Sequence, residues 1–170
     1  GGDVSFYLSD GQKMKSSIAS MENAFTEIKY NDKSRGIATS GWQGRSFSLG
    51  IADSVTVLAK NAAMADAAAT MIGNSVDIKD HNLIKKKNAA DLYDDSDLLD
   101  KFVTVEVGDL SKDDILEAIQ NGHLQATKYL NKNLINSALI QLRGYFCIVQ
   151  KTSSNLDIKQ KSSLKEVKFG

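Results

Sequence analysis

An alanine-rich helix predicted over residues 62–72 constrains the fold of this chain more than any other segment. Six of its eleven residues are alanine, the strongest helix former. Asn61 precedes it as a possible N-cap, and Gly73 follows it in a position that commonly ends helices. A helix that is apolar nearly all round is normally buried. The sequence therefore requires another layer of structure to cover this helix.

Strand patterns on both sides of the helix supply that layer. The segment SVTVLAK at residues 54–60 is the clearest buried strand, and residues 102–107 alternate cleanly between apolar and polar side chains. Weaker patterns predict strands at three further places, namely residues 4–8, 24–30 and 36–39. Strands mixed with few helices are typical of the α+β class. We expect a mostly antiparallel sheet with helices on one face.

The second half of the chain adds helices and further strands. Ser111 and Asp114 form a predicted capping box, followed by a helix at residues 112–120 that ends at Asn121-Gly122. A separate helix is predicted to continue to about Leu130. Strand material then fills residues 135–150, interrupted at Arg143-Gly144. Residues 1–150 are predicted to form one domain, and residues 151–170 a polar tail or an edge element.

Charge and cysteine content exclude several classes of function. Lysine and arginine total 21, as do aspartate and glutamate, so no net charge points to a nucleic acid or an anionic membrane. No run of 18 apolar residues is present, so no membrane span is predicted. The only cysteine, Cys147, cannot form a disulfide within the chain and is interpreted as a buried core thiol. A reducing location such as the cytoplasm is expected.

Two further composition features limit the chemistry. The only histidines, His81 and His123, lie in polar surroundings, so a histidine-based metal site or catalytic triad is not expected. Residues 75–100 are polar and irregular, and five aspartates fall between positions 91 and 100. The spacing and terminal glutamate of an EF-hand are missing there. We interpret this stretch as a solvated acidic loop.

Asp66 and Thr70 are the first candidate site residues. They stand four apart on the predicted alanine helix and share a face, and Asn74 extends that line by one turn. A buried carboxylate is costly unless something pairs with it. The partner is an arginine such as Arg45 or Arg143, a set of backbone N–H groups, or a metal ion. A carboxylate with a hydroxyl is hard oxygen ligation, which suits Mg²⁺, Mn²⁺ or Ca²⁺.

A glycine- and serine-rich loop before the 54–60 strand is the second candidate. Glycines permit close backbone approach, and successive N–H groups can form a nest that binds anions. Arg45 adds a charged fork of donors. The pattern matches neither the Walker motif nor GxGxxG, so a purely structural loop remains the alternative. The candidate ligand-binding residues are Thr39, Ser40, Gly41, Gly44, Arg45, Ser46 and Asp53.

Two residues of this region carry double interpretations. Asp53 precedes the buried strand and acts either as a base or ligand, or as a cap at the end of the strand. Trp42 offers either a stacking face for a ligand or a cover on the core. Since no Ser-His or Cys-His pair is present, Ser40 is expected to donate a hydrogen bond and not to act as a nucleophile.

An ordered set of motifs resembles the ApbE superfamily, whose known members are FAD:protein FMN transferases. The motifs are Gly-Gly-Asp at residues 1–3, Ile-Ala-Thr-Ser-Gly at 37–41, Val-Thr-Val-Leu-Ala at 55–59 and Met-Ala-Asp-Ala-Ala-Ala-Thr at 64–70. Residues 44–53, 96–98 and 103–108 are more similar to an uncharacterised ApbE-like branch. The resemblance covers roughly residues 1–145.

The resemblance implies a T-fold-like architecture and a metal site. In the transferases, the aspartate and threonine of the alanine helix bind Mg²⁺ beside the flavin diphosphate, so Asp66 and Thr70 are the implied ligands. The transferases also carry an Asp-Pro-x-Thr-Gly segment between the Thr-Ser-Gly loop and the Val-Thr-Val strand, and this chain has no proline. Gly-Gly-Asp lies well inside the polypeptide of the family. The resemblance therefore implies an N-terminal segment or a second polypeptide that completes the fold.

The resulting hypothesis is an ApbE-like enzyme that acts on a phosphate- or carboxylate-bearing small molecule with a divalent cation. Transfer of flavin from FAD or FMN is one version of it. The alternative is a non-catalytic module that binds a nucleotide or flavin, or an assembly subunit that has kept the fold. A homo-oligomer is compatible with either hypothesis.

Overall fold

The computed structural model describes residues 12–15, 25–28, 33–44, 46–92, 100–151 and 165–169. The strand predicted at residues 4–8, the Gly-Gly-Asp motif, the side chain of Arg45 and most of the predicted tail lie outside these ranges. Most of the acidic loop, residues 93–99, also lies outside them.

Short strands and two α-helices make up the described residues. The strands are β1 (Gln12–Lys15), β2 (Phe25–Ile28), β3 (Gly36–Ser40), β4 (Ser54–Ala59), β5 (Ile84–Asn88), β6 (Phe102–Val107), β7 (Ser137–Leu142), β8 (Tyr145–Gln150) and β9 (Lys165–Glu166). The helices are α1 (Ala62–Ser75) and α2 (Lys112–Asn131), with a 3-10 turn at Ala89–Asp91. Within these residues, neither helix combines the length and apolar character that a membrane span needs.

A five-stranded sheet in the order β3-β4-β7-β8-β9 forms the centre of the fold. Its pairs are antiparallel, except that β9 runs parallel to β8. Two smaller antiparallel pairs, β1–β2 and β5–β6, stand apart from it. The α1 helix packs on β3 and β4, and α2 packs on β7 and β8. The predicted α+β fold, with a mostly antiparallel sheet and helices packed on it, is confirmed.

The core lies between this sheet and the two helices. Every residue of β4 is buried, and Val55 and Val57 are completely inaccessible to solvent. They join Ile72 of α1, Ile119 of α2 and Ile140 of β7 in one apolar cluster. Because alternate residues of a strand point to the same face, these contacts identify the helix-covered face of the sheet.

The α2 helix is one continuous helix of 20 residues, so the predicted break at Asn121-Gly122 is wrong. Gly122 is present because α2 passes very close to the end of α1. A Cβ atom on Gly122 would lie 2.4 Å from Cγ2 of Val76. Tertiary packing, and not a turn, therefore accounts for this glycine. The capping box predicted from Ser111 and Asp114 is confirmed, with both of its hydrogen bonds present.

Three other element boundaries differ from expectation. The α1 helix runs past Gly73 to Ser75, and its C-cap is Val76. Residues 75–100 are not irregular throughout, because the lysine run at residues 85–87 forms part of β5 and pairs with β6. The predicted interruption at Arg143-Gly144 is the two-residue turn of the β7–β8 hairpin, where both residues have positive φ, 49° and 79°. Positive φ at both central positions matches the twist of the hairpin strands.

Candidate functional site

The glycines of the loop between β3 and β4 are explained by close backbone packing. A Cβ atom on Gly41 would lie 2.3 Å from the carbonyl oxygen of Asp53, and one on Gly50 would lie 2.1 Å from the carbonyl oxygen of Gly73. Any side chain at either position would push the backbone apart. Gly50 therefore holds the loop directly against the last turn of α1.

Several N–H groups of this loop already have partners inside the protein. The Trp42 N–H donates to the carbonyl oxygen of Ala52, and the Gly44 N–H donates to the carbonyl oxygen of Gly41. The Gly50 N–H donates to Oγ of Ser48 at 3.2 Å. These donors stabilise the loop itself and are not available to an anion in this conformation.

The backbone of Ser48 and Leu49 is fixed by three elements. Asn74 Oδ1, on α1, accepts from the Leu49 N–H at 3.0 Å and from Ser48 Oγ at 3.3 Å. Lys86 Nζ, on β5, donates to the Leu49 carbonyl oxygen at 2.7 Å. The Thr104 N–H, on β6, donates to the Ser48 carbonyl oxygen at 2.8 Å. These contacts fix the position of the loop. Sequence patterns did not identify Lys86 or Thr104 as part of this region.

Asp53 links the loop to the β7–β8 turn. Its Oδ2 accepts from the Arg143 N–H at 2.6 Å, and Trp42 Nε1 donates to its Oδ1 at 3.4 Å. The guanidinium of Arg143 donates in turn to the carbonyl oxygens of Val107 and Gly108. Asp53 thus holds a strained turn residue, since Arg143 has a φ of 49°. These are the contacts expected of a structural cap.

The α1 helix runs alongside β3 in the same direction. At the start of α1, a Cβ atom on Gly36 would lie 2.1 Å from the backbone of Asn61. At the end of α1, a Cβ atom on Gly73 would lie 3.7 Å from Oγ of Ser40. Asp66 and Thr70 fall between these two contacts. Among the described strands, β3 is the first in the order of the five-stranded sheet.

Asp66 is the unusual residue of this region. One of its carboxylate oxygens, Oδ1, is buried and has no hydrogen-bond partner. The predicted alternative partner Arg143 is engaged elsewhere. Thr70 is exposed one turn further along α1, and Ser40 is half-buried. The structure therefore leaves a carboxylate oxygen unpaired on a helix that carries no other charge.

Thr39 does not point toward α1. Since neighbouring residues of a strand face opposite sides of a sheet, Thr39 lies on the face opposite to Ser40. Its hydroxyl pairs with the hydroxyl of Thr56 at 2.9 Å. The adjacent candidates Thr39 and Ser40 are thus divided between the two faces, a result that depends on strand register.

The carboxylate of Asp66 and the hydroxyl of Thr70 offer only oxygen donors, which fit a hard cation better than a transition metal. In the part of the chain that the structure describes, no three His, Cys, Asp or Glu side chains come together as a metal cluster. A cation at Asp66 would therefore take one carboxylate, hydroxyl oxygens and oxygens from a ligand or water. Mg²⁺ is usually bound in this way, by one or two carboxylates together with substrate phosphates.

Other reactive groups do not offer an alternative centre. Burial raises the pKa of the Cys147 thiol to about 12, so this residue is a core thiol and not a nucleophile. The hydrogen bond from Ser111 lowers the pKa of Asp114, which belongs to the α2 capping box. Burial lowers the pKa of His123, whose Nδ1 has no partner.

Comparisons with known proteins give a family and short stretches of relatives. A family model described as AbpE bacteria matches residues 1–148. A UPF0280 protein of Methanococcus maripaludis strain C7 is 68% identical over 40 residues, which is 23% of this chain and 16% of that protein. A UPF0280 protein of Methanococcus vannielii is 65% identical over the same shares of each chain. The matched stretch thus covers 16% of the length of each of these relatives. No solved structure matches.

Proposed function

The chain belongs to the AbpE bacteria family, and from that premise we propose that it is an ApbE-like enzyme with a divalent cation at Asp66. Its substrate is a small molecule that carries a phosphate or carboxylate. The observation that carries this proposal is the buried, unpartnered Oδ1 of Asp66 on an otherwise uncharged helix.

An unpaired carboxylate oxygen in this position costs free energy. Burying a polar group without a hydrogen bond typically costs about 1–3 kcal/mol, and a charged group costs more. Nothing in the packing of α1 requires an acid at this position, because its neighbours are alanines. A bound cation gives the carboxylate the partner that it lacks.

The surrounding residues have separate roles in this proposal. Asp66 would hold the cation, and the hydroxyl of Thr70, one helical turn further along, would supply a second oxygen. When bound, the cation would neutralise charge on a phosphate group. The rigid loop between β3 and β4 positions the ligand, with Ser40 as a hydrogen-bond donor and Arg45 as a bidentate partner for an anion. Positioning and charge neutralisation are the main requirements of phosphoryl and nucleotidyl chemistry.

Flavin transfer from FAD to a protein serine or threonine is the finer form of the proposal. It is supported by the motif at residues 64–70 and by the family. The Asp-Pro-x-Thr-Gly segment of the transferases has no counterpart between Gly41 and Val55. Any transfer reaction would therefore use different contacts on that side of the site.

Titration calorimetry of Mg²⁺ tests the cation site. The wild-type protein should bind Mg²⁺, and Asp66→Ala should not. Asp113→Ala is the matched control, because it removes an exposed acid from α2 and should leave Mg²⁺ affinity unchanged. Equal Mg²⁺ affinities in wild type and Asp66→Ala would contradict the proposal.

The affinity for FAD tests the loop separately. Loss of a charged hydrogen bond in Arg45→Ala should weaken binding by about 1.5–3 kcal/mol, with an unchanged free energy of unfolding. The second candidate, a binding or assembly module, is favoured by one observation: the N–H groups of Trp42, Gly44 and Gly50 are engaged internally. Tight FAD binding without Mg²⁺-dependent turnover would establish that alternative.

A further inference from the structure

A separate cavity of about 330 Å³ lies between the end of α1 and β5. It is lined by Asp77, Ile78, Asp80, His81, Ile84 and Lys86, among others. The volume is at the lower end of the range that holds small ligands. Neither Asp66 nor Ser40 belongs to it.

One wall of this cavity presents a hydrogen-bond donor beside an acceptor. Lys86 Nζ lies 2.5 Å from Asp77 Oδ2 and 2.7 Å from the Leu49 carbonyl oxygen. An ammonium group has three donors, so one remains for a ligand. The other carboxylate oxygen, Asp77 Oδ1, is buried without a partner. This wall therefore has unused capacity of both kinds at adjacent groups.

The same wall carries little net charge. The Lys86–Asp77 pair is internally neutral, and the two other charged lining residues, Lys79 and Asp80, have opposite signs. His81 Nδ1 accepts from the Leu83 N–H at 3.3 Å, and its Nε2 lies 3.4 Å from Asp114 Oδ2. Ile78 and Ile84 supply the apolar sides of the cavity. These surroundings select an uncharged molecule with apolar faces and a polar edge.

We propose that this cavity binds a neutral heterocycle whose edge presents an N–H donor beside a carbonyl acceptor, as the imide edge of a pyrimidine does. The N–H donates to Asp77, and the carbonyl oxygen accepts from Lys86. A carboxylate has about four lone-pair sites, so Asp77 can accept from the ligand while Oδ2 keeps its hydrogen bond from Lys86. The site does not include Asp66, although Lys86 also fixes the loop between β3 and β4.

Titration of uridine, followed by the methyl NMR signals of the isoleucines, tests this site. Uridine should shift the signals of Ile78 and Ile84 with a Kd of about 1 mM, as expected for a ligand of its size. N3-methyluridine lacks the donor and should bind at least about tenfold more weakly, since a buried acceptor stays unpaired. Absence of shifts, or equal affinities for the two nucleosides, would overturn the proposal.

Protein variants locate the contacts. Lys86→Gln should weaken uridine binding, whereas Lys85→Gln should not, because Lys85 is exposed and pairs with Glu106. If Lys86→Gln fails to fold, the comparison of the two nucleosides on wild-type protein still decides. Asp66→Ala should bind uridine as wild type does. A loss in that variant would overturn the independence of the cavity, whatever the outcome of the Mg²⁺ titration.

Discussion

Helices α1 and α2 cover the same face of the sheet but meet solvent differently. The α2 helix has a complete capping box, acids in its first turn and Lys128 in its last. The α1 helix has neither acids in its first turn nor bases in its last, and Asp66 is its only charged residue. Its exposed positions are Ala63, Ala67, Thr70 and Met71.

This contrast separates stability from function. The features of α2 are those that stabilise a helix in water by local interactions alone. The α1 helix instead exposes small side chains and carries one carboxylate with a buried, unpaired oxygen. Natural proteins depart from the rules of stability mainly at functional sites. The difference therefore supports the cation site proposed on α1 and fits a scaffold role for α2.

The largest expected effect concerns the contact between α1 and its loop. Gly50→Ala should lower the free energy of unfolding by about 3 kcal/mol, because the new methyl group would overlap the Gly73 carbonyl oxygen. Gly73→Ala is the control, since its nearest contact is an ordinary 3.7 Å, and it should be neutral or slightly stabilising. Urea denaturation measures both. Similar values for the two variants would show that the close approach is not rigid.

The next prediction concerns the unpaired carboxylate of α1, whose removal should stabilise the protein. Asp66→Ala should raise the free energy of unfolding by about 1.5 kcal/mol in metal-free buffer, because it removes an unpaired buried oxygen and adds a strong helix former. Urea denaturation with chelator present measures the change. Destabilisation would reveal a partner for Asp66 and would remove the contrast with α2.

The corresponding change in α2 should have the opposite sign. Ser111→Ala removes the side chain that accepts from the Asp114 N–H, and it should lower the free energy of unfolding by about 1 kcal/mol. The same urea measurement applies, with Lys112→Ala as an exposed neighbour that makes no cap. Equal stability of Ser111→Ala and wild type would show that the cap contributes little.

The smallest effect is a dependence on pH that arises from α2. The folded protein lowers the pKa of His123 below 6.5 through burial, so the unfolded state binds more protons. Stability should therefore decrease as the pH falls below 6.5, and stop decreasing below the folded pKa. Thermal unfolding of wild type and His123→Gln across that range measures it. Parallel pH profiles would show that His123 is hydrated in the folded protein.

Local patterns predicted those parts of the fold that local interactions determine. The predictions of β4, β6 and the capping box at Ser111 are confirmed. Their signals, periodicity and capping, act over a few residues. The continuity of α2 through Gly122 was not predictable, because its cause is the distant Val76. The lysine run looked like a loop, but its pairing with β6 makes it a strand.

The candidate site divides in the same way. Asp66 stood out from sequence because an acid on an alanine helix is anomalous. The roles of Lys86 and Thr104 in fixing the loop depend on contacts between distant parts of the chain, namely Lys86 with Leu49 and Thr104 with Ser48. Which of Thr39 and Ser40 faces α1 depends on the register of β3 with β4. Sequence patterns thus identified Asp66 but not the hydrogen bonds that fix the loop between β3 and β4.

The strand order also has a consequence for synthesis on the ribosome. The central strand β4 pairs on one side with β3, which precedes it closely, and on the other with β7, whose residues are 137–142. Contacts between distant segments form slowly, because a long loop must close first. At typical translation speeds, the β7 residues emerge roughly 5–15 seconds after those of β4. During that interval the apolar edge of β4 remains open, and the nascent chain needs protection from aggregation.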